Sequence, residues 1–263
     1  TCEMVSILTY TPLLTTIHML KPSNIVLLLA MTVGYWSCSA PTSGSPSEPS
    51  FQIKLPVELA DEALDGRLLV MLSTNTESEP RFQISDGPGT QLAFGMNVEN
   101  WEPGTVLEFR PDTPGYPLVS MAEIPEREYQ VQVLLHMYET FERGDGHTVK
   151  LPMDRGEGQQ WNRAPGNLLN TPQTLTIAGG KTYELAFDQA IDPITPLEDT
   201  EWVKHVKIRS DLLSEFWGRD MYLGAHVLLP KGWAEHPEVK YPLAIMHGHF
   251  PADFGGWRTE PAD

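Results

Sequence analysis

Short segments of alternating apolar and polar residues, separated by turns, dominate the chain as far as residue 195. Residues 51–55 (FQIKL) have the period of two that is typical of a half-buried β-strand. The same pattern predicts further strands at residues 67–73, 105–109, 129–138, 173–177 and 182–187. Glycine- and proline-rich turns separate these segments, and the sequence shows no long helical period there. We therefore predict a mostly β fold, with an antiparallel β-sandwich over residues 51–195.

The last two predicted strands flank the sequence Ala178-Gly179-Gly180-Lys181. A short glycine-containing connection between two strand-like segments is the usual signature of a β-hairpin. We therefore predict that residues 173–177 and 182–187 pair with each other. Two prolines in residues 191–196 then interrupt the pattern, which predicts a domain boundary at that point.

The pattern changes after this boundary. Residues 203–209 (VKHVKIR) and 221–229 (MYLGAHVLL) are predicted strands, and residues 210–217 between them are predicted to form one or two helical turns. Residues 241–246 (YPLAIM) are apolar at successive positions. Such a run is typical of a strand buried inside a sheet that is covered on both faces, as in α/β folds.

The residues before the β-rich part have the order of an export signal. Residues 19–24 (MLKPSN) form a short basic opening, and residues 25–33 (IVLLLAMTV) form an apolar run. This run is shorter than the ~18–20 apolar residues that span a bilayer, and its length is typical of the core of a secretory signal peptide. Because the chain begins with Thr1, we expect the natural start at Met19.

Cys38 stands between the apolar run and a Ser/Pro/Gly-rich linker at residues 39–50. This arrangement resembles a bacterial lipoprotein signal peptide, in which the cysteine becomes the lipidated first residue. The resemblance implies an exported protein, periplasmic or at the cell surface, that contacts the membrane only through a lipid on Cys38. The alternative is an ordinary signal peptide that is cleaved near Ser39 or Ala40. In either case, residues 1–38 are upstream residues and signal peptide.

Cysteine content and charge exclude several classes of function. The two cysteines are Cys2 and Cys38, so the predicted globular part has no disulfide framework and no cysteine-ligated metal. The chain carries 35 acidic and 18 basic residues, for a net charge of −17. Such a surface repels phosphate backbones, so nucleic acid is excluded as a partner.

Four motifs follow one another in the C-terminal segment: residues 225–230 (AHVLLP), Lys231-Gly232-Trp233, Tyr241-Pro242 and residues 245–248 (IMHG). This order resembles the entry into the catalytic domain of esterases of the α/β-hydrolase fold, of the enterochelin-esterase-like and feruloyl-esterase-like kind. The resemblance covers roughly a quarter of the chain. It implies that residues 196–263 are the start of such a domain, truncated here, and that the chain is a fragment of a longer protein.

In these esterases a histidine-activated serine attacks the ester carbonyl, and an acyl-enzyme forms without a metal or cofactor. The loop after the third strand supplies one backbone N–H to the developing oxyanion. The resemblance places this loop at His247, Gly248, His249 and Phe250, with the N–H of His249 or Phe250 as the donor. The sequence contains no Gly-x-Ser-x-Gly motif. The nucleophile, acid and histidine are therefore expected beyond Asp263, and this fragment is expected to be inactive.

His247 and His249 allow two other interpretations. Imidazoles two residues apart lie on the same side of an extended chain, which suits a metal ion. With Asp253 and Gly255-Gly256, the segment is similar to the His-x-His-x-Asp-His-x-Gly-Gly signature of metallo-β-lactamase-like hydrolases. However, the aspartate comes two positions late and Phe254 replaces a ligand histidine, so we predict no metal site. In the remaining interpretation both histidines form only local hydrogen bonds at a strand end.

Other candidate residues are less specific. His226 lies within an apolar strand, which predicts a hydrogen-bonded core residue. Trp101 and Trp161 lie in predicted loops and suit a sugar-binding face, although tryptophan more often packs in a core. The alternative function is therefore a non-catalytic glycan-binding or surface-interaction lipoprotein module. The function predicted here is an exported serine esterase that acts on a small-molecule or glycan-linked ester.

Overall fold

The computed structural model describes residues 48–247 and 259–261, which are mostly β-structure. The strands are β1 (Ser50–Lys54), β2 (Leu64–Ser73), β3 (Leu92–Trp101), β4 (Val106–Phe109), β5 (Gly115–Tyr116), β6 (Arg127–Met137), β7 (Glu139–Glu142), β8 (Thr148–Leu151), β9 (Leu168–Leu169), β10 (Gln173–Ile177), β11 (Thr182–Ala186), β12 (Gln189–Ala190), β13 (Val203–Arg209) and β14 (Tyr222–Leu228). One α-helix, α1 (Asp211–Trp217), lies between β13 and β14 in the described ranges. The signal-peptide interpretation, the start at Met19 and the lipidation of Cys38 fall on residues outside these ranges.

The larger of two main sheets is built around β2. β2 pairs antiparallel with β3 on one side and with β6 on the other, so Val70 lies opposite both Phe94 and Val133. The strand order is β12-β9-β6-β2-β3-β5, and β10 also pairs with β6. Burial alternates along β2 from Leu64 to Val70, as expected for a strand, whereas Met71, Leu72 and Ser73 are all buried.

The smaller sheet has the order β11-β1-β4 and covers the larger one through a common core. Phe51 and Ile53 of β1 and Phe109 of β4 are fully buried and belong to the same cluster as Val70 and Val133. Two sheets that share one apolar core are consistent with the predicted β-sandwich. The pairing is mostly antiparallel, but β1 runs parallel to β11.

The predicted hairpin between residues 173–177 and 182–187 is wrong, although both strands exist. β10 pairs with β6 in the larger sheet, whereas β11 pairs with β1 in the smaller sheet. The turn at Gly179-Gly180 therefore carries the chain from one sheet to the other. This crossing places Ile177 and Leu185 in the common core, where both are almost completely buried. Burial of both side chains between the sheets outweighs the local turn signal.

β3 is a long strand that the sequence pattern did not reveal. It ends at Trp101, which is 4% exposed and lies in the hydrophobic core rather than in a loop. The Trp101 ring meets the Phe187 ring edge-on, with the centroids 5.8 Å apart. Trp101 is therefore a packing residue and is not available as a sugar-stacking surface.

Within the described residues, no helix is both long and apolar enough to cross a membrane.

Candidate functional site

Residues 196–263, which the sequence analysis predicts to start an esterase domain, are called the esterase-like segment below, and their strands are β13 and β14. These strands pair antiparallel in continuous register, with Val203 opposite Leu228. Between them, α1 is capped at its start by Ser210, whose side chain accepts a hydrogen bond from the N–H of Leu213, and at its end by Gly218, which has the left-handed conformation. The predicted order of strand, short helix and strand is confirmed.

One face of the β13–β14 pair is apolar and open to solvent. Val206, Ile208 and Leu223 are 37%, 59% and 56% exposed on this face. The other face carries polar side chains, among them Lys207, whose ammonium lies 4.4 Å from the centroid of the Tyr222 ring. An apolar face of this kind normally packs against another element of the fold.

A tight turn at Gly232 follows β14, and it brings two aromatic residues of the esterase-like motifs together. Gly232 has a φ of +76°, a value that favours glycine. The ring centroids of Trp233 and Tyr241 lie 5.8 Å apart. The Gly-Trp and Tyr-Pro motifs are thus neighbours in space as well as ordered in the sequence.

The predicted buried strand at residues 241–246 is not formed. These residues have no regular secondary structure, and Leu243, Ile245 and Met246 are 80%, 80% and 69% exposed. A strand that is buried in a sheet needs a hydrogen-bonded neighbour on each side and cover on both faces. Residues 241–246 have neither within the described part of the chain, which is the physical reason for the difference.

Of the four residues predicted to form the oxyanion loop, the structure describes His247 alone. His247 is exposed. Gly248, His249 and Phe250 lie outside the described residues, as does the remainder of the similarity to metallo-β-lactamase-like hydrolases. The predicted N–H donors of His249 and Phe250 therefore stay predictions.

α1 packs against the hairpin formed by β7 and β8. The N–H of Gly144, in the turn of this hairpin, donates to the carbonyl oxygen of Phe216 at 2.5 Å. The buried Phe141 ring meets the Trp217 ring edge-on, with the centroids 5.5 Å apart. The guanidinium of Arg143 lies 5.1 Å from the centroid of the Phe216 ring. The esterase-like segment is thus attached to the β-rich part through this contact.

Two ion pairs to one carboxylate reinforce the same contact. Glu139 on β7 accepts hydrogen bonds from Arg155 and from Arg219, both at 2.6 Å. Burial raises the pKa of the Glu139 carboxyl, but the hydrogen bonds and charges of Arg219 and Arg155 outweigh this effect and hold the pKa below its ordinary value. Glu139 is therefore ionised near neutral pH, and it joins Arg219, two residues after the end of α1, to Arg155 in the loop that follows β8.

β13 and β14 bring a histidine pair together. His205 and His226 are direct cross-strand partners, and their ring centroids lie 4.7 Å apart with the ring planes at 77°. Asp199 accepts hydrogen bonds from the backbone N–H of His205 at 2.8 Å and from its Nδ1 at 3.1 Å. The backbone hydrogen bond lowers the pKa of the Asp199 carboxyl. His226 is exposed, so the prediction of a core histidine is wrong.

A second histidine, His136 at the end of β6, is a structural residue. It is 8% exposed, and burial lowers the pKa of its imidazole. The Asn167 amide lies 3.2 Å from Nδ1 of His136, donates to the carbonyl of Trp161 at 2.7 Å, and accepts from the N–H of Met137 at 3.0 Å. Nδ1 of His136 also lies 3.4 Å from the carbonyl oxygen of Trp161, so it accepts from Asn167 or donates to Trp161 according to its tautomer. Its hydrogen bonds anchor the loop around half-buried Trp161 to β6.

Residues 48–247 and 259–261 contain no group of three or more His, Cys, Asp or Glu side chains that would hold a metal ion. A shallow depression is lined by Arg155, Pro165, Gly166, Pro193 and Ile194. The guanidinium of Arg155 is already hydrogen-bonded within the protein. It donates to the carbonyl of Pro165 at 2.8 Å and to the carboxylate of Glu139.

The polar residues that the structure assembles are thus not those that the sequence pattern pointed to. The contact of Asp199, His205 and His226 was missed because strand register, not spacing along the chain, makes His205 face His226. The one available signal was that both predicted strands contain a histidine. Comparisons with protein-family models, with curated proteins and with solved structures found no match to this chain.

Proposed function

We propose that residues 196–263 form the first part of a serine esterase domain of the α/β-hydrolase type. The observation that carries this proposal is the exposed, unpaired apolar run at residues 241–246, placed directly before His247-Gly248 and after a strand pair with one open apolar face. In an α/β fold, such a run becomes a central strand with the loop after it at the active-site edge of the sheet.

The energetics of the exposed side chains support this proposal. Burial of a single Leu, Ile or Met side chain stabilises a fold by about 1.5–3 kcal/mol. Leu243, Ile245, Met246, Ile208 and Leu223 are all more than half exposed. Further strands and helices that covered these side chains would gain several times that free energy. The proposal therefore requires additional chain after Asp263 to complete the sheet.

The proposed reaction is acyl transfer from an ester to water. A serine hydroxyl, activated by a histidine, attacks the ester carbonyl and forms a tetrahedral intermediate whose oxygen carries the negative charge. The backbone N–H of His249 or Phe250 donates to this oxygen, together with the N–H of the residue after the nucleophile. Collapse of the intermediate releases the alcohol and leaves an acyl-enzyme, which water hydrolyses to the acid. No cofactor takes part.

The cellular location of the enzyme is part of the same proposal. The protein is exported, to the periplasm or the cell surface, and a lipid on Cys38 holds it at the membrane. The substrate is a small-molecule or glycan-linked ester, in keeping with a surface whose net charge of −17 disfavours nucleic acids.

The experiment that tests the proposal uses the gene extended past the codon for Asp263 to its natural stop. We expect a Gly-x-Ser-x-Gly motif in the added residues, and hydrolysis of p-nitrophenyl acetate that a serine-directed phosphonate abolishes. The 263-residue chain is the matched control and should be inactive. An extended protein without this motif, or hydrolysis that survives the phosphonate, would refute the proposal.

A pair of substitutions at each candidate donor tests the oxyanion loop in the extended protein. His249→Pro and Phe250→Pro remove the backbone N–H, whereas His249→Ala and Phe250→Ala keep it. Loss of one oxyanion donor typically lowers kcat by about 10²–10³-fold. We expect this loss for the proline variant at one of the two positions, with the alanine variant there close to the wild type. Equal activity of all four variants would place the donor elsewhere.

A further inference from the structure

One end of the β-sandwich carries an exposed apolar loop, which we call the apolar tip. It consists of Tyr116, Pro117, Leu118 and Val119. Leu118 packs against the core, whereas Tyr116 is 48% exposed and Val119 is 75% exposed. Pro117 between them is exposed as well. Scattered apolar residues are common on protein surfaces, but apolar residues that are exposed side by side often mark a contact surface.

The apolar tip is exposed although its loop is firmly held. The N–H of Gly115 donates to the carbonyl oxygen of Val119 at 3.1 Å, which closes the loop. Just after the loop, the N–H of Met121 donates to the carbonyl oxygen of Thr113 at 3.2 Å, and the Met121 side chain is fully buried. A Cβ atom at Gly115 would collide with the Phe94 ring, so the loop lies directly against β3. The exposure of the apolar tip is therefore a property of the folded structure.

The apolar tip lies at the end of the sandwich where the chain enters it. β1 begins at Ser50, and Phe51 of β1 lies opposite Phe109, the last residue of β4. The next strand, β5, leads straight into the apolar tip, so the tip and the start of β1 share one end. β1 finishes with Lys54 at the opposite end, and exposed Val57 follows it there.

We propose that this end of the sandwich faces a lipid bilayer and that the apolar tip enters the headgroup region. The proposed lipid on Cys38 lies upstream of Ser50, so it would tether to the membrane the end that bears the apolar tip. Tyrosine is enriched at membrane–water interfaces, because its ring is apolar and its hydroxyl is polar. Pro117 has no N–H that would lose a hydrogen bond to water on entry. This inference rests on the proposed lipid anchor and is independent of the esterase activity.

The charges near the apolar tip favour one class of lipid. Asp112 and Glu123, on either side of the tip in the sequence, are exposed, and the exposed Arg110 offsets them only in part. The whole chain has a net charge of −17. A bilayer of anionic lipids repels such a surface, so the apolar tip suits a zwitterionic bilayer such as phosphatidylcholine.

The test places an environment-sensitive fluorophore on the cysteine of Val119→Cys in the full chain, with Cys2→Ser and Cys38→Ser to remove the natural thiols. Phosphatidylcholine vesicles should shift its emission to shorter wavelength, and nitroxide-labelled lipid should quench it. Val57→Cys in the same background is the matched control, because Val57 is 58% exposed at the opposite end. Its emission should not change. Circular dichroism establishes that both labelled proteins are folded.

The comparison of the two labels decides the proposal. Vesicle binding through another part of the chain would leave the label at Val119 in water, so no shift there would overturn the proposal. An equal shift at Val57 would also overturn it, as would a shift that needs only a higher protein concentration, since the tip would then contact a second copy of the chain. The lipid on Cys38 is tested separately, by the mass of the protein isolated from membranes. Failure of the anchor and failure of the tip are therefore distinguishable.

Discussion

Gly218 ends α1 with a φ of +64°, and a Cβ atom built there would lie 2.7 Å from the carbonyl oxygen of Glu142 on β7. Both the backbone conformation and the space therefore require glycine. The close approach lets the end of α1 rest on the β7–β8 hairpin, where Phe141 meets Trp217. A single residue without a side chain thus sets how near the esterase-like segment comes to the β-rich part.

Replacement of Gly218 by alanine should destabilise the protein. An alanine there must adopt the left-handed conformation, at a cost of about 1–3 kcal/mol, and the contact with Glu142 adds to this cost. The measurement is the free energy of unfolding by urea. Gly224→Ala on β14 is the matched control, since a Cβ at Gly224 would meet nothing within 4 Å. Equal stability of the two variants would contradict the close contact.

The contact between Phe141 and Trp217 should couple the two parts of the chain energetically. An edge-to-face aromatic pair contributes about 0.5–1.5 kcal/mol beyond the area that it buries. We expect a coupling energy of this size in a double-mutant cycle of Phe141→Leu and Trp217→Leu, measured by urea unfolding. Phe141→Leu combined with Trp233→Leu, a tryptophan of the turn after β14, is the control cycle and should be additive. A coupling energy near zero for the first pair would mean that α1 is not held by the hairpin.

Glu139 should make the stability of the fold depend on pH in the acidic range. The pKa of its carboxyl in the folded state lies below its ordinary value of 4.5, because Arg219 and Arg155 outweigh the effect of burial. Its contribution is therefore fully present above the unfolded pKa and is lost as the pH falls through the folded pKa. The difference in unfolding free energy between the wild type and Glu139→Gln should be largest near neutral pH and should shrink on acidification. Glu128→Gln, at the exposed start of β6, should show no such trend.

The substitution Ile245→Asp should be tolerated in the 263-residue chain and should be damaging in the extended protein. In the 263-residue chain the Ile245 side chain is 80% exposed, so Ile245→Asp should leave folding intact and should reduce self-association measured by light scattering. In the extended protein the proposed function places Ile245 in a buried strand, where an unpaired charge would prevent folding or abolish ester hydrolysis. Retained activity of the extended Ile245→Asp protein would contradict the buried strand.

Periodicity alone predicted most of the individual strands, because the alternation of apolar and polar side chains reflects which face of a strand is buried. β1, β6, β11 and β13 lie within one or two residues of their predicted positions, and the short helix α1 was likewise expected. β3 was missed because Gly95 and Asn97 break up its pattern. The sequence pattern predicted that Trp101, at the end of β3, lies in a loop, although it belongs to the core.

The sequence did not predict which strands pair with each other, because pairing depends on contacts between residues far apart in the chain. The turn at Gly179-Gly180 has the local chemistry of a hairpin, but whether two strands pair or separate into different sheets is decided by the core that both must cover. The same holds for the meeting of His205 with His226, which follows from the register of β13 and β14.

The amino-acid sequence by itself thus determined that this protein is rich in β-structure and where most of its longer strands lie. Only the tertiary structure decided the partner of each strand, the burial of Trp101, the exposure of His226 and the contact between α1 and the β7–β8 hairpin. The physical reason is that backbone preference is local, whereas burial is a property of the whole assembly of strands. The open apolar run before His247 shows the difference: its sequence favours a strand, but a strand forms only where neighbours pair with it.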